Sequence, residues 1–172
     1  MQILKVCTKY TYPESGTRAG RVYSPEVLKE SFNECFFKEQ CDRHFIPVKD
    51  STDEFLGYAT AKLENGNTVV VEANIWSISP YFEILKEMDD DSVGFILAGY
   101  GDIEHREDKH VVLKVDFDRA LLTTKNSTVD FTTKIYRDDI IDPARPGFAP
   151  WITDDFGYNE RFRTKLIEKL ED

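Results

Sequence analysis

The sequence predicts an α+β (mixed α/β) fold: mainly an antiparallel sheet or partly open barrel, two main helices, and a C-terminal arm ending in a short helix. Apolar–polar alternation recurs along the chain, two Ser-Pro pairs precede helical patterns, and an Asn-Gly pair separates two apolar runs. The 172 residues suffice for one well-buried core. We therefore expect one domain over residues 1–141 and an arm over residues 142–172.

The N-terminal part of the chain predicts a strand followed by a helix. Gln2 to Thr8 alternates apolar and polar residues, as a half-buried strand does. Ser24-Pro25-Glu26 supplies a helix N-cap, a proline at the first helical position and an acid in the first turn. We expect this helix to extend to about Lys38, with an apolar face formed by Leu28, Phe32, Cys35 and Phe36.

An Asn-Gly pair predicts a tight hairpin in the middle of the chain. Phe45 to Val48 and Gly57 to Leu63 have the pattern of strands, and the second is joined through Glu64-Asn65-Gly66-Asn67 to Thr68 to Ile75. Both central residues of a type I′ turn need positive φ, which Asn and Gly tolerate. We therefore expect Gly66 at positive φ.

A second helix and two further strands are predicted after this hairpin. The helix begins after Ser79-Pro80 and ends at the acidic run 89–91. Strand patterns follow at Val93 to Gly99 and His110 to Leu122, with a polar loop between them from Gly101 to Lys109. The apolar face of the helix would be Tyr81, Ile84, Leu85 and Met88, and that of the last strand Val111, Leu113, Val115 and Phe117.

The C-terminal arm is a candidate partner-binding segment. Asp142 to Trp151 carries three prolines and a glycine and holds no regular element. The residues after it form a short amphipathic pattern that needs a surface to cover its apolar stripe, either on the parent domain or on a neighbouring subunit. The candidate partner-binding residues are Trp151, Phe156, Tyr158, Phe162, Leu166 and Leu170.

Composition argues against several classes of partner. Lys+Arg number 22 against 32 Asp+Glu, a formal net charge of -10, and no basic cluster is present to neutralise phosphates, so we expect no nucleic-acid binding. No apolar run approaches the length of a membrane span, so we expect no membrane partner. The three cysteines lack a repeated spacing, and we interpret them as reduced thiols of a protein that folds in a cytosol.

No cofactor or metal is predicted. The chain has no phosphate-binding glycine loop, nucleophile elbow or zincin-type helix. His105 and His110 lie in or beside the predicted charged loop at a spacing that suits a metal poorly, and His44 three residues after Cys41 is an isolated pair.

Several short sequence segments, taken in their order along the chain, resemble the prohead (capsid maturation) proteases of tailed phages. These proteases share the fold of the herpesvirus assembly protease, assemblin. Thr17 to Leu28 resembles the segment that enters the family's first helix, and Ile46 to Asp50 followed by Leu56-Gly57 is similar to its His-Asp segment. Ile84 to Lys86 followed by Val93 to Tyr100 resembles the helix and the strand that carries its serine. The resemblance spans roughly residues 15 to 125 and implies an assemblin-like fold.

The residues that the resemblance would make catalytic are absent. Lys49 stands where the family has its histidine base, and an ammonium group with a pKa near 10 replaces an imidazole poorly at neutral pH. Ile96 or Leu97, depending on the register, stands where the family has its nucleophile, and neither can attack a carbonyl. Asp116 or Asp118 would match the acidic third member, and His44 and Ser92 are weak candidates for a displaced base and nucleophile.

The resulting hypothesis is a non-enzymatic structural protein of a tailed-phage head, either an auxiliary, cement or decoration protein or a scaffold-associated one. It implies as partners the major capsid protein, other head proteins or a second copy of the chain. Such a protein would be made in the cytoplasm of the bacterial host and would locate to the virion. Two alternatives stay open: an active maturation serine protease with an unusual site, and an acidic inhibitor of a host protein.

Overall fold

The computed structural model describes residues 2–34, 46–125 and 127–140, and a single sheet dominates this part of the chain. The arm predicted over residues 142–172 lies outside the described residues. The elements are β1 (Ile3–Thr11), β2 (Arg21–Val22), α1 (Pro25–Glu34), β3 (Ile46–Lys49), β4 (Phe55–Glu64), β5 (Thr68–Trp76), α2 (Tyr81–Glu87), β6 (Val93–Arg106), β7 (Lys109–Thr124) and β8 (Phe131–Ile135). The prediction of a mainly antiparallel α+β fold with two main helices is confirmed.

The sheet has the order β2-β7-β3-β4-β5-β1-β8, and β6 pairs with β7. Strands β2 and β3 run parallel to β7 and lie at its two ends, because Arg21 is opposite His110 and Val48 is opposite Ala120. The other ladders are antiparallel. The sheet curls into a half-barrel, and this curl brings β6 against β1, with which it forms no ladder.

The predicted hairpin is present between β4 and β5. Glu64 is opposite Thr68, and the turn residues Asn65 and Gly66 have φ of 52° and 83°. Positive φ at both central positions is the backbone of a type I′ turn, whose twist matches that of the flanking strands. The prediction of positive φ at Gly66 is therefore confirmed.

The two helices cover the sheet with short apolar faces. In the described part of α1, Leu28 is fully buried and Phe32 is half-buried against Phe117, while Cys35 and Phe36 of its predicted face and its predicted end near Lys38 lie outside the described residues. In α2 the buried residues are Phe82 and Leu85. Ile84, predicted on the buried face, is 55% exposed. That part of the prediction is wrong because Phe82, and not its neighbour Tyr81, is the buried residue in the first turn. The helix is therefore rotated about its axis relative to the prediction, and Ile84 faces solvent.

The polar loop predicted from Gly101 to Lys109 is wrong, since β6 and β7 form one long hairpin with its turn at Glu107 and Asp108. The residues of this segment are mostly exposed on both faces. A strand that is wet on both faces needs no apolar alternation, so its sequence lacks the pattern that marks a strand. The short strand β8 was not predicted.

Bulges change which face of β7 is buried. Ala98 and Gly99 lie opposite Arg119 and Phe117, and Asp102 and Ile103 lie opposite Lys114 and Val112, so Asp118 and Leu113 are extra residues in β7. Each extra residue reverses the alternation of side chains beyond it. Val112 is therefore buried, and Leu113, predicted on the buried face, is 48% exposed.

Candidate functional site

Strand β6 meets β1 along a line that we call the seam. The N–H of Phe95 donates to Thr8 Oγ1 at 3.0 Å, and the N–H of Leu97 donates to the Tyr10 hydroxyl at 3.0 Å. Thr8 Oγ1 also lies 3.1 Å from Thr133 Oγ1 of β8. Because buried N–H groups need an acceptor, these two hydroxyls take the place of a β ladder at this point.

Beyond Leu97 the two strands separate, and the cleft opens. We use "the cleft" for a cavity of about 250 Å³ between residues 96–103 of β6 and the segment from β1 to β2. Its walls are aromatic and aliphatic side chains, backbone of the glycine-rich part of β6, and two arginines. The lining includes Tyr10, Tyr12, Arg21, Tyr100, Ile103 and Arg119.

Tyrosines form the floor of the cleft. Tyr10 and Tyr12 are buried, their hydroxyls are 3.4 Å apart, and Tyr12 packs on Tyr23 with ring centroids 4.4 Å apart. Burial raises the pKa of both Tyr10 and Tyr12 well above the ordinary value, so both stay protonated. The Tyr10 oxygen accepts the Leu97 N–H, which leaves its proton free to be donated.

Two arginines give the walls of the cleft positive charge. Arg21 and Arg119 line it, and none of the lining residues within the described part of the chain is acidic. Arg119 lies over the Tyr100 ring at 5.7 Å and pairs with Asp118 at 2.7 Å. In a chain with net charge -10, this is a local reversal of sign.

A second depression, which we call the charged groove, adjoins the cleft and shares Tyr100 and Arg119 with it. It is lined by Pro47, Lys49, Asp50, Ser51, Asp53, Tyr100, Asp118, Arg119 and Leu121. Lys49 Nζ forms an ion pair with Asp53 at 2.9 Å. The groove therefore contains charges of both signs, in contrast to the cleft.

Asp50, next to Lys49, organises the turn between β3 and β4. Its Oδ1 accepts the Thr52 N–H at 2.8 Å, the Thr52 hydroxyl at 2.7 Å and the Glu54 N–H at 2.9 Å, while Oδ2 accepts the Tyr81 hydroxyl at 2.8 Å. Burial acts to raise the pKa of Asp50, but these hydrogen bonds to its charged form outweigh burial and lower the pKa to about 2. The carboxylate is saturated with donors, so its role is to hold the turn.

The structure aligns two of the positions that the family resemblance selected. Lys49 lies opposite Leu121 of β7, and Leu121 lies opposite Ile96 of β6. Residues directly opposite in a sheet share a face, so Lys49 and Ile96 lie on one face, two strands or about 10 Å apart. The neighbouring row, Val48, Ala120 and Leu97, is buried on the inner face. Of the two residues that the sequence left open as the counterpart of the family's nucleophile, Ile96 is the one in the same row as Lys49.

The weaker candidates are not brought together. The Ser92 hydroxyl donates to the Asp89 carbonyl, one residue before β6. Asp116 lies opposite Tyr100, eight residues further along β6, which is about 26 Å at the rise of an extended strand. Ser92 and Asp116 therefore do not share a site, and His44 lies outside the described residues. The same holds for the predicted partner-binding residues Trp151, Phe156, Tyr158, Phe162, Leu166 and Leu170.

The histidines of the β6–β7 hairpin are closer than their spacing indicated. His105 lies opposite His110, with Nδ1 atoms 3.3 Å apart, because the segment is a hairpin instead of a loop. Within the part of the chain that the structure describes, no group of three or more His, Cys, Asp or Glu residues has the arrangement of a metal site. No helix of that part is long and apolar enough to cross a membrane.

The sequence matches no protein-family model, and no curated protein or solved structure was found to match it. A function for the chain therefore has to be argued from the geometry of the cleft and the charged groove. Sequence reasoning missed the cleft. Tyr10 and Tyr12, which form its floor, alternate along the sequence as residues on one face of a strand do. The position of β6 beside them depends on the curl of the sheet, and no local sequence pattern predicts that curl.

Proposed function

We propose that the protein is a non-enzymatic structural component of a tailed-phage head. It is an auxiliary, cement or decoration protein, or a scaffold-associated protein, that contacts the major capsid protein or other head proteins. The observation that carries the proposal is the row formed by Lys49, Leu121 and Ile96. In the protease family that the sequence resembles, the first and last positions of such a row would hold the base and the nucleophile.

The chemistry of this row supports a loss of catalysis. Lys49 forms an ion pair with Asp53 at 2.9 Å, and a lysine side chain in an ion pair is a poor general base. Ile96 and Leu121 offer only carbon atoms. An ion pair and aliphatic side chains at the positions of the reacting groups favour a role in contacting other proteins over a role in catalysis.

The first test is an inventory of purified virions by quantitative mass spectrometry. We expect the protein at a copy number comparable to that of the major capsid protein. Absence from both mature heads and unexpanded proheads would contradict the proposal. Presence in proheads alone would select the scaffold-associated form.

The second test separates the structural role from an active protease. Intact mass is measured after prolonged incubation of the purified protein with the major capsid protein, for the wild type, Ser92→Ala and Lys49→Met. We expect no cleavage in any sample and normal incorporation of both variants into heads. Cleavage by the wild type that Ser92→Ala abolishes would overturn the proposal in favour of an active enzyme.

A further inference from the structure

The outer edge of β6 pairs with no described strand over the length of the cleft. Among the described strands, β6 pairs with β7 alone. At Phe95 and Leu97 its second edge is occupied by the hydroxyls of Thr8 and Tyr10. From residue 99 to residue 103 the described chain supplies no hydrogen-bond partner to this edge, and the cleft lies beside it. Such an edge presents a row of backbone donors and acceptors to any chain that can lie along it.

This stretch lacks most of the features that normally protect an edge strand. Its sequence is Gly-Tyr-Gly-Asp-Ile, with Asp102 as its single charged residue and no lysine or proline, and both bulges of the hairpin lie in β7 instead of β6. Tyr100 is 72% exposed and Ile103 is 44% exposed. The edge therefore combines open hydrogen-bonding groups with apolar side chains at its rim, as surfaces that receive an added strand do.

The charge of the cleft indicates what such a strand carries. The other arginines of the described ranges, Arg18, Arg106, Arg119 and Arg137, each lie in an ion pair with a carboxylate. Arg21 makes none with a described residue, and no acidic residue is among the described residues that line its cleft. Its backbone is fixed by Thr17, whose N–H donates to the Arg21 carbonyl at 2.8 Å. A guanidinium in this setting is complementary to a carboxylate.

We propose that the cleft binds an acidic segment of another protein in an extended conformation. The segment adds as a strand to the edge of β6 at residues 99–103, places apolar side chains over Tyr100 and Ile103, and directs a carboxylate to Arg21. This assignment holds whether or not the protein belongs to a phage head.

The size of the cleft and the range of its charge agree with a peptide. Five extended residues span about 17 Å, the length of the open edge. The volume of about 250 Å³ is smaller than the pockets that enclose drug-sized molecules or cofactors, and it accommodates a few side chains. The chain's overall negative charge does not prevent binding, because at physiological salt charges beyond about 8 Å are largely screened while Arg21 acts at contact distance.

Binding is tested with short peptides and the full-length protein. A panel of fluorescein-labelled pentapeptides has two glutamates alternating with Val, Leu or Phe; its matched controls carry glutamine at both positions, or N-methyl groups on alternate backbone nitrogens. Fluorescence anisotropy gives Kd. We expect at least one acidic peptide to bind, the glutamine control to bind about tenfold more weakly, and the N-methylated form to lose binding.

Two variants of the protein locate the site, each with a matched control. Arg21→Gln weakens binding of the acidic peptide about tenfold but leaves the glutamine peptide unchanged, whereas Arg106→Gln, at the distal end of the same hairpin, changes neither. Ile103→Lys weakens both peptides, since a lysine at the rim blocks the edge. Leu113→Lys, at an equally exposed apolar residue outside the cleft, has no effect.

Hydrogen–deuterium exchange on the wild-type complex supplies the structural readout. We expect slower exchange of amides within residues 99–103 when peptide is bound. The proposal is overturned if no acidic peptide binds at about 1 mM, if N-methylated peptides bind as well as unmodified ones, or if residues 99–103 gain no protection. Equal competition by acetate or phosphate would likewise overturn it, because a site for small anions needs no strand edge.

Discussion

The edge of β6 that faces β1 has two parts. In the lower half of the seam, at Phe95 and Leu97, hydroxyls of β1 occupy this edge, and in the upper half, beyond Leu97, the cleft lies beside it. In the lower half, Phe95 and Leu97 donate to hydroxyls of β1 and are buried. In the upper half, the Tyr12 hydroxyl lies 3.4 Å from that of Tyr10 instead of bonding to β6, and no described residue occupies the edge of β6. The hydroxyls of Thr8 and Tyr10 therefore join β6 to β1 only as far as Leu97. We expect residues before this point to stabilise the fold, and residues after it to be available for binding.

The largest effect is expected at glycines where strands approach closely. A Cβ at Gly57 would lie 1.9 Å from the Asn74 carbonyl oxygen, and one at Gly99 would lie 1.8 Å from the Asp116 carbonyl oxygen. β4 is paired on both sides, whereas among the described strands β6 pairs only with β7, so at Gly99 it can shift outward. We expect Gly57→Ala to cost about 3 kcal/mol or more, and Gly99→Ala about 1 to 2 kcal/mol.

Urea denaturation of the two alanine variants measures this difference. Equal costs would show that the upper half of β6 is held as firmly as a central strand, and the contrast between the two halves of the seam would be wrong. Ala98→Ser, at a half-buried neighbour of Gly99 on β6, serves as the control for substitution in this strand.

The next effect concerns the hydroxyl that closes the lower half. Thr8→Val keeps the shape of the side chain but leaves the Phe95 N–H without its acceptor and removes the contact with Thr133. We expect a loss of about 2 kcal/mol, the cost of leaving a buried donor unsatisfied. Thr132→Val, at an exposed position of β8, should change stability by less than about 0.5 kcal/mol. Amide exchange at Phe95 should accelerate in the first variant and not in the second.

Much of the fold is predictable because its signals are local. The Asn65-Gly66 turn and the Ser24-Pro25 helix start are short motifs with a direct conformational cause. The buried face of β7 was predictable only at Val115 and Phe117, because the extra residues Leu113 and Asp118 on either side of them reverse the alternation without any mark in composition. A strand's buried face is predicted from every second residue, and a bulge shifts that alternation by one residue.

The candidate site was less predictable than the fold. The family resemblance selected Lys49 and Ile96, which the sheet does align, but Lys49 lines the charged groove whereas Ile96 lines the cleft. The cleft instead depends on residues from three separate segments that meet only after the sheet curls. Arg21 stands out only once it is seen to form no ion pair with a described residue and to line a cleft whose other described lining residues include no acid.

Acid should loosen the turn held by Asp50 and leave the hydroxyl-closed seam unaffected. The pKa of Asp50 is lowered from 3.8 to about 2, so its charged form stabilises the folded state above pH 4, and this contribution is lost as the pH falls from about 4 to 2. We expect it to amount to about 1 to 2 kcal/mol. Asp50→Asn should therefore lower the free energy of unfolding at pH 6, and the difference from wild type should shrink below pH 4.

Asp53→Asn is the matched control for this pH dependence. Asp53 lies in the same turn, but its carboxylate is exposed and pairs only with Lys49 among the described residues. Its substitution should change stability little at any pH. If the two variants gave the same pH profile, the saturation of Asp50 by hydrogen bonds would not be the source of the acid sensitivity.

The smallest effect on stability is expected at the open half of the seam. Tyr100 is 72% exposed, and its ring contacts Arg119 at 5.7 Å. Tyr100→Leu keeps an apolar side chain and removes the cation–π contact, which at an exposed site is worth about 0.5 to 1 kcal/mol. We expect a loss of stability no larger than this, measured by urea denaturation beside Tyr10→Phe, which removes the acceptor of the Leu97 N–H and should cost about 1 to 2 kcal/mol. If Tyr100→Leu proved the more damaging of the two, the upper half of the seam would be part of the structural core, and an added strand would have no free edge to join.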